Sequence, residues 1–224
     1  MRTLITSSIV ALLVTAGVAA AAGPEPTTEE QKTLYALGVA AGQGLTPFNL
    51  TEPELEMVKA GMSDAVLKKP LKAELQPYAE RIQKLQLARV AAISAEEKKA
   101  GQAFLDKAAK EPGATKAPAG FVIKSLKDGA GESPKATDKV KVHYQGTLTD
   151  GTVFDSSFQR GEAVTFPLSG VIRCWTEGVQ MMKVGGKSRL VCPSDLAYGE
   201  RGAPPRIKPG ATLVFEVELL EIVK

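Results

Sequence analysis

The stretch VKVHYQGTLTDGTVFDSS, residues 140–157, decides how the second half of the chain folds. Val140, Val142 and Tyr144 alternate with polar residues, which is typical of a strand with one buried face. Asp150-Gly151 follows, a pair that favours a two-residue hairpin turn before the next extended run, VFDSS. The stretch therefore predicts two antiparallel strands joined by a tight turn.

The same two-residue period continues on both sides of this hairpin. This period predicts further strands over residues 121–127, 164–168, 187–192 and 211–223. The first strand of the hairpin is expected to cover residues 139–148. A single short helix is expected over residues 172–182, ending before Gly185-Gly186. We therefore expect an α+β domain, an antiparallel sheet with one helix against one face.

Residues 23–112 carry helical signals instead. Thr27 with Glu30 fits a capping box, and a second box, Thr51 with Glu54, opens another helix. The first helix has apolar residues at helical spacing, which are Leu34, Leu37, Ala41 and Leu45. The second helix is expected to bury four apolar residues, which are Leu55, Val58, Met62 and Val66. Both helices are expected to be short and amphipathic.

A third helix is expected from about residue 73 to residue 110, either continuous or restarted at Ser94-x-x-Glu97. It has one narrow apolar stripe, formed by Leu75, Tyr78, Ile82, Leu85, Ala92 and Ile93. At 1.5 Å per residue it would span over roughly 50 Å, which is longer than a small domain needs. Two interpretations follow: the helices interlock with a second copy as a homodimer, which we favour, or the long helix is a stalk that spaces two domains.

The segment EPGATKAPAG ends this helix, because Pro112 and Gly113 cannot continue it. Its mixture of Ala, Pro and Gly is typical of a linker, which we expect over residues 113–120. The sequence thus predicts two domains, an all-α N-terminal domain over residues 23–112 and the α+β domain over residues 121–224.

The N-terminus predicts a signal peptide over residues 1–22. Arg2 precedes an apolar run from Leu4 to Val18, and three alanines then fit the small-residue rule for cleavage. A membrane span needs about 20 strongly apolar residues, and this run is shorter and rich in Ala and Thr. We therefore expect export to the periplasm, or secretion to the envelope, of a Gram-negative-type bacterium, without membrane affinity after cleavage.

Composition excludes several other classes of protein. The formal net charge of +3 is small and evenly spread, so we expect no nucleic-acid partner. The single histidine, His143, lies on a predicted strand and is interpreted as structural, and no Gly-rich phosphate loop follows a strand. We expect neither a metal nor a cofactor.

Aromatic residues are only 5% of the chain, and they concentrate in the second half, as Tyr144, Phe154, Phe158, Phe166, Trp175, Tyr198 and Phe215. Each alone fits core packing, whereas the set also fits a concave apolar pocket with a few polar groups. Asp155 is the carboxylate that stands directly beside an aromatic run, in TVFDSSF.

Four motifs carry a family resemblance: VKVHYQGTLTDGTVFDSS, VIRCWTEGVQMMKVGGK, LAYGERGAPP and ATLVFEVELLEI. In order and spacing they resemble the FKBP-type peptidyl-prolyl cis-trans isomerases, over residues 117–224. The helical half, with LYALGVAAGQGL and MVKAGMSDAV, is similar to the N-terminal dimerisation domain of the macrophage infectivity potentiator subgroup. The resemblance implies a twisted sheet wrapped around one short helix, with the substrate pocket between them.

The resemblance also implies roles for individual residues. The Tyr198 hydroxyl and the Ile172 backbone N–H would hold substrate carbonyls, and Asp155 would orient the twisted amide. Arg160 would pair with Asp155 at the rim, and Trp175 would form the floor. The remaining substrate-binding residues would be Tyr144, Phe154, Val164, Phe166, Val171, Ile207 and Phe215. Three departures from the family pattern, Val164, Ala203 and Arg206, bear on macrolide affinity and on sequence preference.

The implied activity is isomerisation of X-Pro bonds in proline-containing peptides and unfolded exported proteins. A twisted amide has less charge separation than a planar one, so a water-poor aromatic pocket favours it without a nucleophile or cofactor. The alternative from another class is a dimeric periplasmic holdase chaperone, whose pocket binds apolar segments with little turnover.

The two cysteines, Cys174 and Cys192, lie at the start of the predicted short helix and at the end of a predicted strand. In an oxidising compartment a disulfide between them would tie the helix to the sheet. Two buried free thiols are the alternative, since cysteine packs well in cores.

Overall fold

The computed structural model describes residues 25–223, and the predicted signal peptide lies outside them. Residues 25–39 belong to one compact unit of the chain, and residues 40–223 to a second, much larger one. Within the described part of the chain, none of the helices combines the length and the apolar character that crossing a membrane requires.

The first helix, α1 (Glu29–Gln43), is capped one residue later than predicted. Gln31 N donates to Thr28 Oγ1 at 3.2 Å, and Thr28 N donates to Gln31 Oε1 at 3.1 Å. The prediction of a box between Thr27 and Glu30 is therefore wrong. A glutamine at the third position reaches back as well as a glutamate does, so the next Thr-x-x-Gln set takes the role.

The second helix, α2 (Glu52–Val66), begins at the predicted capping box, where Thr51 N donates to Glu54 Oε2 at 2.8 Å. Leu55 and Val58 are half-buried. Met62 and Val66 are 44% and 77% exposed, so the prediction that α2 buries all four apolar residues is wrong for a single chain.

The third helix, α3 (Ala79–Ala108), is one unbroken helix of 30 residues, without a restart at Ser94. It begins later than predicted, because a short 3₁₀ turn, Gln76–Tyr78, precedes it and contains Pro77. An ion pair of 2.5 Å between Arg89 and Glu54 joins α3 to α2.

Residues 114–223 form an antiparallel sheet of seven strands, which confirms the predicted class of fold. The strands are β1 (Ala114–Lys116), β2 (Val122–Lys127), β3 (Lys139–Leu148), β4 (Val153–Ser156), β5 (Val164–Pro167), β6 (Lys187–Cys192) and β7 (Leu213–Val223). Their order is β1-β2-β6-β7-β3-β4, and β5 pairs with β3. A short helix, α4 (Ser157–Arg160), follows β4, and α5 (Arg173–Gln180) packs against the sheet.

The hairpin between β3 and β4 has a three-residue loop, so the predicted two-residue turn is wrong by one residue. Leu148 N donates to Thr152 O at 2.9 Å, and Gly151 N donates to Leu148 O at 3.0 Å. The Asp150 carboxylate accepts from Thr152 N at 2.9 Å. This bond favours the longer loop, because it satisfies the amide that follows the turn.

The segment predicted as a linker, residues 113–120, is mostly part of the folded sheet domain. Ala114–Lys116 pair with β2 as strand β1, and Ala117 is buried in the main core. A strand of three residues is too short to show an alternating pattern in the sequence. Strand β1 is stabilised by its pairing with β2.

The last turns of α3 pack on one face of the sheet, in a cluster of Leu105, Ala108, Val122, Val191 and Val214. A methyl group at Gly101 would lie 2.1 Å from Thr212 Oγ1, so only glycine lets the helix approach this closely. The predicted boundary at residue 112 therefore does not separate the end of α3 from the sheet.

The main core lies on the opposite face of the sheet, against α5. From α5 it receives Cys174, Trp175 and Val179, all buried. A disulfide joins Cys174 to Cys192, the last residue of β6, with a Cα–Cα distance of 5.8 Å. The bond fixes the first turn of α5 beside the sheet.

Candidate active site

A cavity of about 320 Å³ opens beside α5, between β4 and the segments that precede α5 and β7. It is lined by Tyr144, Phe154, Asp155, Phe166, Gly170, Val171, Ile172, Trp175, Tyr198 and Phe215. Nine of these ten were predicted from the sequence, so the fold brings together most of the expected residues in one place.

Trp175 forms the floor of this cavity and is only 4% exposed. Three rings meet the indole nearly at right angles, with centroid distances of 5.2 Å for Tyr144, 5.9 Å for Phe166 and 5.4 Å for Phe215. Such edge-to-face contacts are favourable, because the positive edge of one ring meets the negative face of another. The indole is therefore held in one orientation beneath the opening.

A polar triangle of three side chains stands at the rim. The Tyr144 hydroxyl donates to one oxygen of Asp155, and Arg160 Nη1 donates to the other. Arg160 Nη2 also donates to the Tyr144 hydroxyl at 3.1 Å. Sheet pairing brings Asp155 opposite Gly146, two residues beyond Tyr144, and α4 turns Arg160 back towards both. The predicted pairing of Asp155 with Arg160 is present.

The triangle fixes the charge of its members. Partial burial acts to raise the pKa of Asp155, but hydrogen bonds from Tyr144 and Arg160 outweigh it and hold that pKa below its ordinary value. Burial, together with the anionic neighbour, raises the pKa of Tyr144. Asp155 is therefore a carboxylate at neutral pH, and Tyr144 keeps its proton.

Two hydrogen-bond donors also face the cavity. Ile172 precedes α5 as its N-cap, and its carbonyl accepts from Trp175 N at 2.9 Å, which leaves its own N–H outside the helix. The Tyr198 side chain is 42% exposed. Among residues 25–223, neither the Ile172 N–H nor the Tyr198 hydroxyl has a protein acceptor. Both are free to bind a carbonyl oxygen of a ligand.

Two residues predicted to line the cavity are not among its lining residues. Val164 packs against the main core from its place on β5, and Ile207 is buried in that core. The same core also contains Trp175 and Phe215, which do line the cavity, so the roles of Val164 and Ile207 in substrate binding stay predictions. Arg160 acts at the rim through Asp155, and Gly170, which was not predicted, has no side chain that could have indicated its role.

A second, more polar groove of about 560 Å³ adjoins the cavity. The two share Phe154 and Asp155, and Arg160 and Arg206 lie on the walls of the groove. Arg206 Nη1 donates to the Phe154 carbonyl at 2.9 Å, which ties the segment before β7 to β4.

His143 lies outside this arrangement of groups. Its ring stacks on Phe158 with a centroid distance of 4.8 Å, and its Nδ1 lies 3.1 Å from the buried Ser157 hydroxyl. These contacts fit a packing role, in keeping with the interpretation from sequence.

Comparisons with known proteins identify relatives over most of the chain. A family profile described as "FKBP-type peptidyl-prolyl cis-trans isomerase" matches residues 130–220, and one described as "Domain amino terminal to FKBP-type peptidyl-prolyl isomerase" matches residues 30–142. The chain is 41% identical to the FKBP-type 22 kDa peptidyl-prolyl cis-trans isomerase of Escherichia coli K12, over 89% of this chain and 98% of that relative. It is 34% identical to the peptidyl-prolyl cis-trans isomerase Mip of Coxiella burnetii, over 93% of each. The crystal structure of FkpA from Escherichia coli superposes with a TM-score of 0.66 at 37% identity, covering 87% of this chain and 97% of that one.

Proposed function

The chain belongs to the FKBP-type peptidyl-prolyl cis-trans isomerases, and we propose that it turns over X-Pro bonds of exported proteins in the cavity above Trp175. The observation that carries this proposal is the composition of the cavity: an aromatic floor and walls, a carboxylate fixed at the rim, and two unpaired donors. These groups suit rotation about an amide bond, which forms and breaks no covalent bond.

The proposed mechanism follows from the electronic structure of the amide. Resonance holds the prolyl bond planar with a barrier of about 18–20 kcal/mol, and the twisted transition state loses both the resonance and its charge separation. An apolar cavity lined mainly by aromatic residues therefore favours the twisted form over the planar one.

The polar groups supply orientation. The Ile172 N–H and the Tyr198 hydroxyl hold carbonyl oxygens on either side of the rotating bond, so that the flanking chain stays fixed while the amide twists. Asp155 remains anionic because Arg160 and Tyr144 hydrogen-bond to it, and it orients the twisted amide at the rim.

A protease-free assay of proline isomerisation in a short peptide tests this function. We expect the full chain to accelerate the reaction. Tyr198→Phe removes one hydroxyl and is expected to lower kcat/KM by roughly tenfold or less, because that factor corresponds to the free energy of one hydrogen bond. The holdase alternative predicts no acceleration by the wild-type protein, although it would still suppress aggregation of an unfolded client.

We also propose that the helical region holds two copies together. Many large apolar side chains are exposed along α2, α3 and the segment between them, and these are Met57, Met62, Val66, Leu67, Leu71, Leu75, Tyr78, Ile82, Leu85 and Leu87. Helix α1 also exposes large apolar side chains, which are Leu34, Tyr35, Leu37 and Val39. Apolar surface of this extent is unusual on a monomer, and a second copy would cover it.

Sedimentation distinguishes this homodimer from the stalk interpretation. The wild-type protein is expected to sediment as a dimer, and Ile82→Asp combined with Leu85→Asp as a monomer that still isomerises a short peptide. A monomeric wild-type protein would support the stalk instead.

The proposed site of action is the periplasm, on unfolded exported clients. The support for this is the predicted signal peptide, the disulfide between Cys174 and Cys192, and the occurrence of relatives in Gram-negative bacteria. Fractionation of cells that produce the full chain would test it, with the mature protein expected in the periplasmic fraction.

A further inference from the structure

Helix α3 contacts the loop that carries Tyr198, defined as residues 193–212 between β6 and β7. At the first end of this Tyr198 loop, Lys98 Nζ lies 3.1 Å from Asp195 Oδ1 and 3.1 Å from Glu200 Oε1. The two carboxylates bracket Tyr198 along the chain. One lysine of α3 therefore pairs with side chains on both sides of the predicted catalytic tyrosine.

The second end of the Tyr198 loop meets the same helix. Glu97 Oε1 lies 3.0 Å from Lys208 Nζ. A methyl group at Gly210 would lie 2.5 Å from Ser94 O, so the loop backbone touches the helix directly there. Successive turns of α3 thus hold both ends of the loop.

The backbone around Tyr198 is hydrogen-bonded within the loop, with Gly202 N donating to Tyr198 O at 3.2 Å, whereas the ring of Tyr198 is not held directly. Its side chain is exposed and its hydroxyl has no acceptor among the described residues, so the backbone of the loop decides where the ring lies. Within the loop, Ala203 and Ile207 are bridged to each other, and Arg206 between them attaches this tip to β4 through the Phe154 carbonyl. The contacts with α3 therefore act together with the loop's own hydrogen bonds, such as the one from Gly210 N to Gly199 O at 3.0 Å, in restraining its two ends.

We propose that Lys98, assisted by Glu97, is a positioning residue for isomerisation, holding the Tyr198 loop in the conformation that lines the cavity; the proposal rests on the proposed function. Without these ion pairs the loop spends part of its time in conformations in which Tyr198 leaves the cavity. Substrate then binds only the competent fraction, so KM rises by the inverse of that fraction while kcat is preserved.

Lys98→Met in the full chain tests this role, with Glu111→Gln as the matched control. Glu111 makes ion pairs of the same kind at the other end of the docked helix, 3.1 Å from Lys124 and 3.2 Å from Arg189, away from the Tyr198 loop. We expect Lys98→Met to raise KM for a short proline peptide about two- to tenfold, from the strength of two exposed ion pairs. Glu111→Gln is expected to shift Tm to a similar extent and to leave KM within about 1.5-fold.

Two further measurements separate positioning from a loss of folded protein. Amide hydrogen exchange in the Tyr198 loop is expected to accelerate in Lys98→Met only, and Lys98→Arg is expected to restore both exchange and KM. If Lys98→Met does not fold, Glu97→Gln carries the same expectation with a smaller rise in KM. An unchanged KM, or an equal rise in the control, would overturn the proposal, whereas a wild-type protein without isomerase activity would instead overturn the proposed function.

The polar groove beside the cavity carries a positive charge that a substrate could meet. The charge of Arg160 is balanced by Asp155, but Arg206 donates to a backbone carbonyl and forms an ion pair with no carboxylate of residues 25–223. One uncompensated guanidinium therefore stands on the wall of a groove that shares Phe154 and Asp155 with the cavity.

We infer that this groove binds an acidic side chain of the client next to the proline, again resting on the proposed function. A guanidinium and a carboxylate form charge-assisted hydrogen bonds, and the shared residues place the groove within reach of the residue beside a bound proline. Because the pair would be exposed to solvent, we expect a preference of only about two- to fivefold.

Matched peptides with Glu or Gln on either side of the proline test the inference. At low salt the wild-type ratio of kcat/KM, Glu over Gln, is expected to be about two to five at one of the two positions, and to approach one in high salt. Arg206→Gln is expected to abolish the preference, and Arg201→Gln, a change of another exposed arginine in the same loop that does not line this groove, to keep it. A wild-type ratio of one, or a preference that survives in Arg206→Gln, would refute the acidic site, while turnover of the Gln peptides would leave the proposed function standing.

Discussion

Replacing Leu105 with alanine measures how firmly α3 belongs to the sheet domain. Leu105 is 3% exposed and packs in the cluster with Val122, Val191 and Val214. The substitution removes three buried carbon atoms, at about 0.8 kcal/mol each, and leaves a cavity between helix and sheet that adds to the cost. We expect the free energy of unfolding to fall by about 3 kcal/mol.

Urea unfolding followed by the fluorescence of Trp175, the single tryptophan, reports this change because Trp175 lies in the main core on the other face of the sheet. The control is Gln102→Ala on the same helix, where an exposed side chain donates to Asp106 at 2.8 Å. That loss should cost less than about 0.5 kcal/mol. If Leu105→Ala unfolds like the control, α3 does not fold as one unit with the sheet, and its hold on the Tyr198 loop would lack a basis.

Three other outcomes are expected. Asp155→Asn should lower kcat/KM about tenfold or more, the strength of a hydrogen bond to a charged group, whereas His143→Ala should change it little. Peptide turnover should be constant over about pH 5–9. The pKa of Asp155 is lowered in the folded protein from its ordinary value of 3.8, so the carboxylate stays charged at every pH above 3.8 and is neutralised only at a lower pH. A fall in the rate near neutral pH would contradict this. Replacing Cys174 and Cys192 by alanine should lower the free energy of urea unfolding by about 3 kcal/mol, as for a loop of 18 residues, and wild-type protein that is insensitive to reductant would argue against it.

The sequence predicts the strands of the sheet well, because the buried face of each strand follows from local alternation. Val140 and Val142 are fully buried, as their period requires. Strand β1 could not be predicted, since its three residues owe their conformation to β2 and not to their own pattern. The cap of α1 was misplaced because Thr27 and Thr28 are chemically equivalent candidates, and only the helix geometry chooses between them.

The candidate site was predictable to the extent that its residues are aromatic or lie in recognisable motifs. Val164 and Ile207 are not among the lining residues, because the depth at which an apolar residue packs near a cavity depends on how the strands and the loop pack. The contact between Lys98 and Glu200 joins residues 102 positions apart and carries no local signal, so it required the structure.

Because α3 is one unbroken helix, the side chains at its two ends keep a fixed angle to each other about the helix axis. Ser94, Gly101, Leu105 and Ala108 share the face that docks on the sheet, while Ile82 and Leu85 near the other end of the helix are exposed. Each residue inserted between these two sets would turn one against the other by about 100° and separate them by about 1.5 Å. An insertion of seven residues returns the two faces to within about 20° of their present angle. Natural changes in the length of this helix should therefore occur in steps of about seven or eleven residues, whereas single insertions would point the two cavities of an assembled pair in new directions.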